Sequence, residues 1–408
     1  MKSLLTPQFS LPEDLAQSVL IVKVWIPGRG AVLGKMTQDS VVDLSALSPT
    51  CSGLLELGNL VAKVKGHSGP ELCKTSDVLT NSHYRYKDPK QAHLMAPCDL
   101  QAIKAAGVTF VQSMLERVIE EQARGDASKA QSVRQAVTAV IGENLSKVIP
   151  GSPEALALKE VLIKEGVWSQ YLEVGIGVDA EIFTKSQPMS AVGTGAEIGI
   201  HPKSAWNNPE PEIVLAINSL GECVGASLGN DVNLRDFEGR SALLLGKAKD
   251  NNGSCAIGPC IRLFDDQFSI DDIRNCELEL EIRGEDGFIL KGSSALSKIS
   301  RDPLDLVSQT LNDCHQYPDG FMLFLGTMFA PTQDRPKDEG SLQGHSESLA
   351  SSEKESSGEG FTHKIGDQVR IYTPRLGTLI NRVNQSNQIP PWTYGVSALM
   401  KDIYAFKN

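Results

Sequence analysis

Two apolar runs near the start of the chain set its first pattern. Residues 19–26 read Val-Leu-Ile-Val-Lys-Val-Trp-Ile and residues 31–35 read Ala-Val-Leu-Gly-Lys, separated by Pro27-Gly-Arg-Gly30. β-branched and aromatic residues on either side of a Gly-containing turn predict two paired strands. A short helix is expected over residues 53–65. Residues 84–97 are polar and punctuated by proline, which marks them as a linker. The division this gives is a small mixed domain at 1–95 and a larger one at 96–408.

Helical spacing then takes over. Leu115, Val118 and Ile119 share one face, Ser113 is placed as N-cap, and Glu116 falls three residues later, as in a capping box. Two more helices are expected over 129–144 and 153–165. From 170 to about 299, short β-rich runs alternate with Gly, Asn, Asp and Pro, the pattern of a β-sandwich or roll. The fold class expected is therefore α+β and β-rich. Asp302-Pro303 supplies an N-cap and a first helical residue, with Leu304, Val307 and Leu311 on the buried face. Residues 321–327, Phe-Met-Leu-Phe-Leu-Gly-Thr, read as an apolar strand closing in a Gly-Thr turn. Residues 332–360 are rich in Ser, Glu, Lys, Gln and Gly and read as a flexible loop. It is either a lid over a site or a tolerated surface insertion. Strands resume at 369–373 and 377–383.

Composition narrows the function classes. The 41% hydrophobic content of 408 residues supports a real core, and the net charge of −11 argues against nucleic acid. No window approaches the ~20 apolar residues of a membrane span. Residues 1–20 resemble neither a signal nor a transit peptide, so a cytoplasmic location is expected. The eight cysteines are scattered, and the closest pair, Cys255 and Cys260, is not C-x-x-C. They read as reduced thiols.

Candidate chemistry centres on residues 207–217, Asn-Asn-Pro-Glu-Pro-Glu-Ile-Val-Leu-Ala-Ile. On a strand, Glu210 and Glu212 project with Val214 and Ala216, while Pro211, Ile213, Leu215 and Ile217 take the other face. Asp231 ends the next apolar run, where a hairpin brings it alongside. Three carboxylates suit Mg²⁺, with Mn²⁺ also possible by donor type. The alternative is a solvated strand end. Lys247 and Lys249 share a face if their segment is extended. Beside a cation and desolvated, a lysine has a lowered pKa and can act as a base. The alternative is a plain turn at Asn252-Gly253. For Glu116 the alternative is the capping box. No Walker motif, G-x-G-x-x-G or G-x-S-x-G is present.

Together these motifs resemble the fumarylacetoacetate hydrolase superfamily. Glu210-Pro-Glu212 looks like its E-x-E metal pair, and Asp231, ahead of Arg235-Asp236, like its third acid. Lys249 with Ser254-Cys255 is similar to its K-x-x-D-x-S-C segment, with Asn252 at the aspartate position. Gly326-Thr327 looks like its G-T-P turn, with Met328 for proline. Residues 107–116 depart from its G-x-x-Y-x-x-H-x-x-E pattern, because Ser113 stands at the histidine. Serine has no accessible pKa for activating water near neutrality, whereas histidine does.

The resemblance is to the branch that dehydrates 2-keto-3-deoxy-D-pentonate to 2-oxoglutarate semialdehyde. It implies a β-sandwich-like roll, Mg²⁺ on Glu210, Glu212 and Asp231, a sugar-acid substrate and a homodimer or homotetramer. Lys249 is expected as base and Glu116 as acid, or the reverse. Thr327 would hold the substrate carboxylate, with Ser113, Lys247 and Arg235 as further substrate-pocket groups. Two other readings stay open: hydrolysis of an acylpyruvate or 2,4-diketo acid, and a non-catalytic, metal-stabilised sugar-acid binder.

Overall fold

The first apolar run becomes a strand with partners both near it and far from it along the chain. The computed structural model describes residues 4–85, 87–134, 148–164, 166, 168–328, 331, 333, 335 and 360–407. Its strands begin with β1 (Leu20–Ile26), β2 (Gly30–Met36), β3 (Ser40–Asp43), β4 (Glu71–Lys74), β5 (His93–Met95) and β6 (Ala102–Gly107). Next come β7 (Glu181–Ser186), β8 (Glu197–Ile200), β9 (Pro211–Ile217), β10 (Cys223–Asp231) and β11 (Cys255–Leu263). The remainder are β12 (Glu277–Arg283), β13 (Ile289–Ala295), β14 (Phe321–Phe324), β15 (Gln368–Thr373) and β16 (Gly377–Gln385). The architecture is mixed and β-rich, as expected.

Among the described residues the strands form two sheets. The larger runs β4-β3-β2-β1-β11-β10-β9-β14-β6-β7, with β5 added to β1, and the smaller runs β13-β12-β15-β16-β8. β1 pairs antiparallel with β2 from Leu20↔Met36 to Ile26↔Gly30, and with β11 at Leu20↔Arg262 and Ile21↔Ile261. The boundary expected near residue 95 therefore does not interrupt the sheet. Nor are residues 84–97 only a linker, since β5 lies within them and Leu94 is buried.

The alternation read from β9 is met. Ile213, Leu215 and Ile217 join the core shared with the smaller sheet, through Leu280, Ile282 and Leu379. Val214 and Ala216 face the opposite core, with Leu54, Ile103 and Phe324. β9 is buried along its whole length between β10 and β14. A strand buried on both faces reads as a continuous apolar run.

Several local expectations are corrected. The helix at 53–65 is two, Cys51–Leu55 and Leu60–Gly66, because Asn59 takes a left-handed conformation (φ 54°) between them. The helix bearing Glu116 is Val111–Gln122 with Phe110 as N-cap. Ser113 lies inside its first turn, its hydroxyl donating to Phe110 O at 2.8 Å, so no capping box forms. Residues 170–176 are helical before the β-rich stretch begins. Pro303–Thr310 is capped by Asp302 and buries Val307 as expected, but Leu306 joins it in the core and Leu304 is 42% exposed. The helix at 153–165 is found as Pro153–Lys164. Of the helix expected at 129–144, residues 135–144 lie outside the described residues, as does the 332–360 loop apart from Gln333, Arg335 and Gly360. No described helix is long and apolar enough to cross a membrane.

Candidate active site

β9 and β10 are antiparallel neighbours, and their pairing Gly229↔Glu212 and Asn230↔Pro211 carries Asp231 back to the start of β9. Asp231 N donates to Glu210 O at 3.0 Å, which fixes that end of the ladder. One carboxylate oxygen from each of Glu210, Glu212 and Asp231 lies within 4.8 Å of the others, and all three residues are buried. The hairpin inferred from sequence thus brings the three acids together.

Two lysines compensate them. Lys249 closes the helix Leu245–Lys249, and its ammonium is ion-paired with Glu210 and, at 3.1 Å, with Asp231. Lys185, on β7 and fully buried, lies 2.8 Å from the other Asp231 oxygen and donates to the carbonyls of Val232 and Lys249. From the opposite side, Arg117 reaches Glu210, Glu120 at 2.6 Å and Glu238 at 3.2 Å.

A small cavity of about 10 Å³ opens on this cluster, lined among others by Ser113, Arg117, Glu181, Phe183, Glu210, Glu212, Asp231, Glu238, Lys249 and Thr327. A larger groove of about 490 Å³ lies between β2 and the C-terminal helix, where Arg29, Asp43, His67 and Phe406 bring together no such set of acids.

Charge and burial tune these groups against one another. Burial, with the negative charges of Asp231 and Glu210, pushes the Glu212 carboxyl well above its usual range. Burial also opposes ionisation of Asp231, but Lys185 and Lys249 outweigh it and hold the carboxyl below its ordinary value. Burial disfavours the Lys249 cation too, yet Asp231, Glu210 and Glu238 keep the ammonium far above the usual lysine range. Glu181 is pushed up by burial against the attraction of Arg117 and Lys249. Glu238 is pushed up to about 7, chiefly by burial.

Five carboxyl groups against two cations, Arg117 and Lys249, line the cavity. The all-oxygen donor set and the displaced Glu212 carboxyl both fit a divalent cation of the Mg²⁺ type.

The remaining expected site residues divide. Thr327 and Ser113 line the cavity. Thr327 follows Gly326, whose backbone N–H donates to Glu212 at 2.8 Å and whose φ of 98° suits glycine. Glu116 is not among the lining groups; Arg235 at 2.7 Å and Arg134 at 2.8 Å hold it. Although burial opposes its charge, Arg235 and Arg134 keep it below the usual carboxylate range. Arg235 also pairs with Glu120 at 2.6 Å and lies over the Trp206 ring, away from the cavity. Lys247 sits on a helix instead of an extended segment, so it does not share a face with Lys249; its ammonium lies 5.8 Å from the Phe237 ring centre.

Sequence reasoning missed Glu181, Glu238, Arg117 and Lys185. The alternation Glu181-Ile-Phe183-Thr-Lys185 carries a signal, because two charged groups and an aromatic share one strand face.

Residues 174–384, just over half of the chain, match the family described as fumarylacetoacetate (FAA) hydrolase C-terminal, and the chain belongs to that family. Its relatives include the 2-dehydro-3-deoxy-D-arabinonate dehydratase of Saccharolobus solfataricus, 33% identical over 168 residues. That match covers 40% of this chain and 54% of the relative, so the chain spans about half the length of that protein. A probable 2-keto-3-deoxyxylonate dehydratase of Haloferax volcanii is 27% identical over 313 residues, covering 77% of this chain and 80% of that one. Among solved structures, the apo form of a 2-keto-3-deoxy-D-arabinonate dehydratase aligns with a TM-score of 0.58 at 19% identity, covering 90% of this chain and 99% of that one. A 2-keto-3-deoxy-D-arabinonate dehydratase complexed with magnesium and 2,5-dioxopentanoate aligns with a TM-score of 0.56, at the same identity and coverage. These likenesses show a shared fold.

Proposed function

We propose that the protein is a Mg²⁺-dependent dehydratase that converts 2-keto-3-deoxy-D-pentonate to 2-oxoglutarate semialdehyde (2,5-dioxopentanoate). The observation that carries this is the buried set Glu210, Glu212 and Asp231, facing further carboxyl groups of raised pKa, Glu181 and Glu238, in one cavity. The names of the two curated relatives point the same way.

Glu210, Glu212 and Asp231 would hold the cation. When bound, it supplies Lewis-acid polarisation of the 2-keto group, which acidifies the C3 hydrogens. Lys185 fixes Asp231, and Arg117 fixes Glu210. Lys249, ion-paired with Glu210 and Asp231, serves as a positive charge toward the developing enolate and not as the base. The C3 proton goes instead to Glu181, a cavity carboxylate whose raised pKa makes it the better acceptor. Glu238, displaced to about 7, protonates the departing C4 hydroxyl, which leaves as water. Transfer of a proton from C5 to C3 then gives the 5-enol, which becomes the aldehyde as its hydroxyl loses a proton and C4 gains one. Thr327 receives the substrate carboxylate. Ser113 gives no base for activating water, since its hydroxyl is committed to Phe110 O. That favours loss of water over hydrolysis.

The test follows aldehyde formation from 2-keto-3-deoxy-D-pentonate by EDTA-stripped protein, with and without Mg²⁺, through a coupled aldehyde dehydrogenase. Mg²⁺-dependent aldehyde is the expected result. No aldehyde, with an acylpyruvate split into two acids, would replace this reading with the hydrolase one.

A further inference from the structure

We propose that Asn252 is a positioning residue for Lys249, acting by docking the C-terminal segment 386–394 onto the lysine loop. The inference rests on Lys249 belonging to the site described above. Lys249 ends a short helix, and the chain then turns tightly from Asp250 to Ser254. Ser254 closes this loop from inside, its hydroxyl donating to Lys249 O at 2.6 Å and accepting from Asn251 N at 2.9 Å. Asn252 faces the other way. Its Nδ2 donates to Ser386 O at 3.0 Å and Pro390 O at 3.1 Å, and its Oδ1 accepts from Trp392 N at 3.2 Å.

Only a side-chain amide satisfies this set. Two carbonyl oxygens require two N–H donors on one atom, while the Trp392 N–H requires an acceptor on the adjacent one. An aspartate of the same shape would aim a carboxylate oxygen at two carbonyls. Gly253 leaves space for the same segment: a Cβ there would collide with Ile389 Cδ1, and its φ is 71°. Its carbonyl accepts from Gly199 N at 2.9 Å, beside β16.

Beyond Trp392 the segment is fixed to the N-terminal strands. Tyr394 packs edge-on against Trp25 with 5.1 Å between ring centres, donates to Asp402 at 2.7 Å and accepts from Ala31 N at 3.3 Å. The helix Val396–Lys407 then packs on β2. The family match ends at residue 384, so this strap lies wholly beyond it. It joins the β1–β2 hairpin to the loop that follows Lys249, and Asn252 is its hook.

The experiment compares the wild type with Asn252→Asp and Asn252→Ala in the full chain. The alanine variant removes the three bonds without adding charge, and so serves if the aspartate variant folds poorly. Hydrogen exchange should accelerate at least tenfold both in 386–394 and in 249–254. With saturating Mg²⁺, kcat should fall five- to twentyfold, while KM and Mg²⁺ affinity stay within twofold, because Thr327 and the three acids stand on other elements. A merely structural loss would move all of these together, and that result overturns the proposal. Faster exchange in 386–394 alone, or unchanged kcat despite undocking, also overturns it. If even the wild type does not turn over the sugar acid, the proposed function fails separately. Exchange then decides: coupled acceleration supports the positioning role, and uncoupled acceleration refutes it.

Discussion

Glu181 and Glu116 carry the same side chain and sit in opposite electrical settings. Two guanidinium groups hold Glu116 ionised, whereas burial raises Glu181. Glu181→Gln is therefore expected to lower kcat by roughly 10²–10⁴-fold, the usual worth of a general acid or base. Mg²⁺ affinity, followed by titration calorimetry, should change little, and equal loss of both would move Glu181 out of the proton-transfer role. Glu238 allows a stability test as well. Its carboxyl is displaced from 4.5 to about 7 in the folded chain. A raised folded-state pKa gives stability that is complete below about 4.5 and lost as pH rises through about 7, at about 1.4 kcal/mol per unit of displacement. Glu238→Gln should flatten that slope. In EDTA, the difference in Tm between pH 5 and pH 8 should be smaller for the variant than for wild type. The clustering of Glu210, Glu212 and Asp231 was legible because strand alternation and one hairpin are local rules. Arg117, Lys185 and Glu238 were not, because distant pairings deliver them to the acids. Lys185 meets Asp231 only after β7 reaches the sheet through β6.

At the scale of elements, the turn after β14 ties packing to the site. Gly326 lies where a Cβ would collide with the Thr109 hydroxyl, which itself donates to Leu325 O at 2.7 Å. Gly326→Ala should therefore shift Thr327 and the N–H bonded to Glu212, lowering kcat/KM more than tenfold and lowering Tm. Retained kcat/KM would separate the turn from substrate binding. The Pro303–Thr310 helix gives a simpler case. Asp302→Ala removes the bond from Leu304 N at 2.9 Å and a pair with Arg274, and should destabilise by about 1 kcal/mol in urea unfolding without touching activity. Helix starts with a side-chain cap, such as Asp302, were readable from local sequence. The break at Asn59 was not, because a single left-handed residue leaves the apolar spacing on either side intact. The exposure of Leu304 escaped for a related reason: Leu306 also fits a helical stripe, and only the neighbouring core decides which stripe is buried.

For the whole molecule, the net charge of −11 opposes the approach of an anionic sugar acid. Raising salt from about 20 to 200 mM should therefore raise kcat/KM by a factor of a few with kcat nearly constant, as screening weakens that repulsion. A fall in kcat/KM would show instead that a local positive field at the cavity mouth governs capture. The division at residue 95 was read from composition, but the sheet runs across it because β1 is hydrogen-bonded to β11. This pairing also sets a timetable for synthesis. Ile21 faces Ile261, 240 positions later, so at ~5–20 residues per second the Leu20–Ile21 end of the nascent β1 edge waits roughly 10–50 s for its partner, whereas β5 covers Lys23–Trp25 much sooner. A chain stopped before residue 255 would leave that end of the edge unpaired, a short template for pairing with other chains.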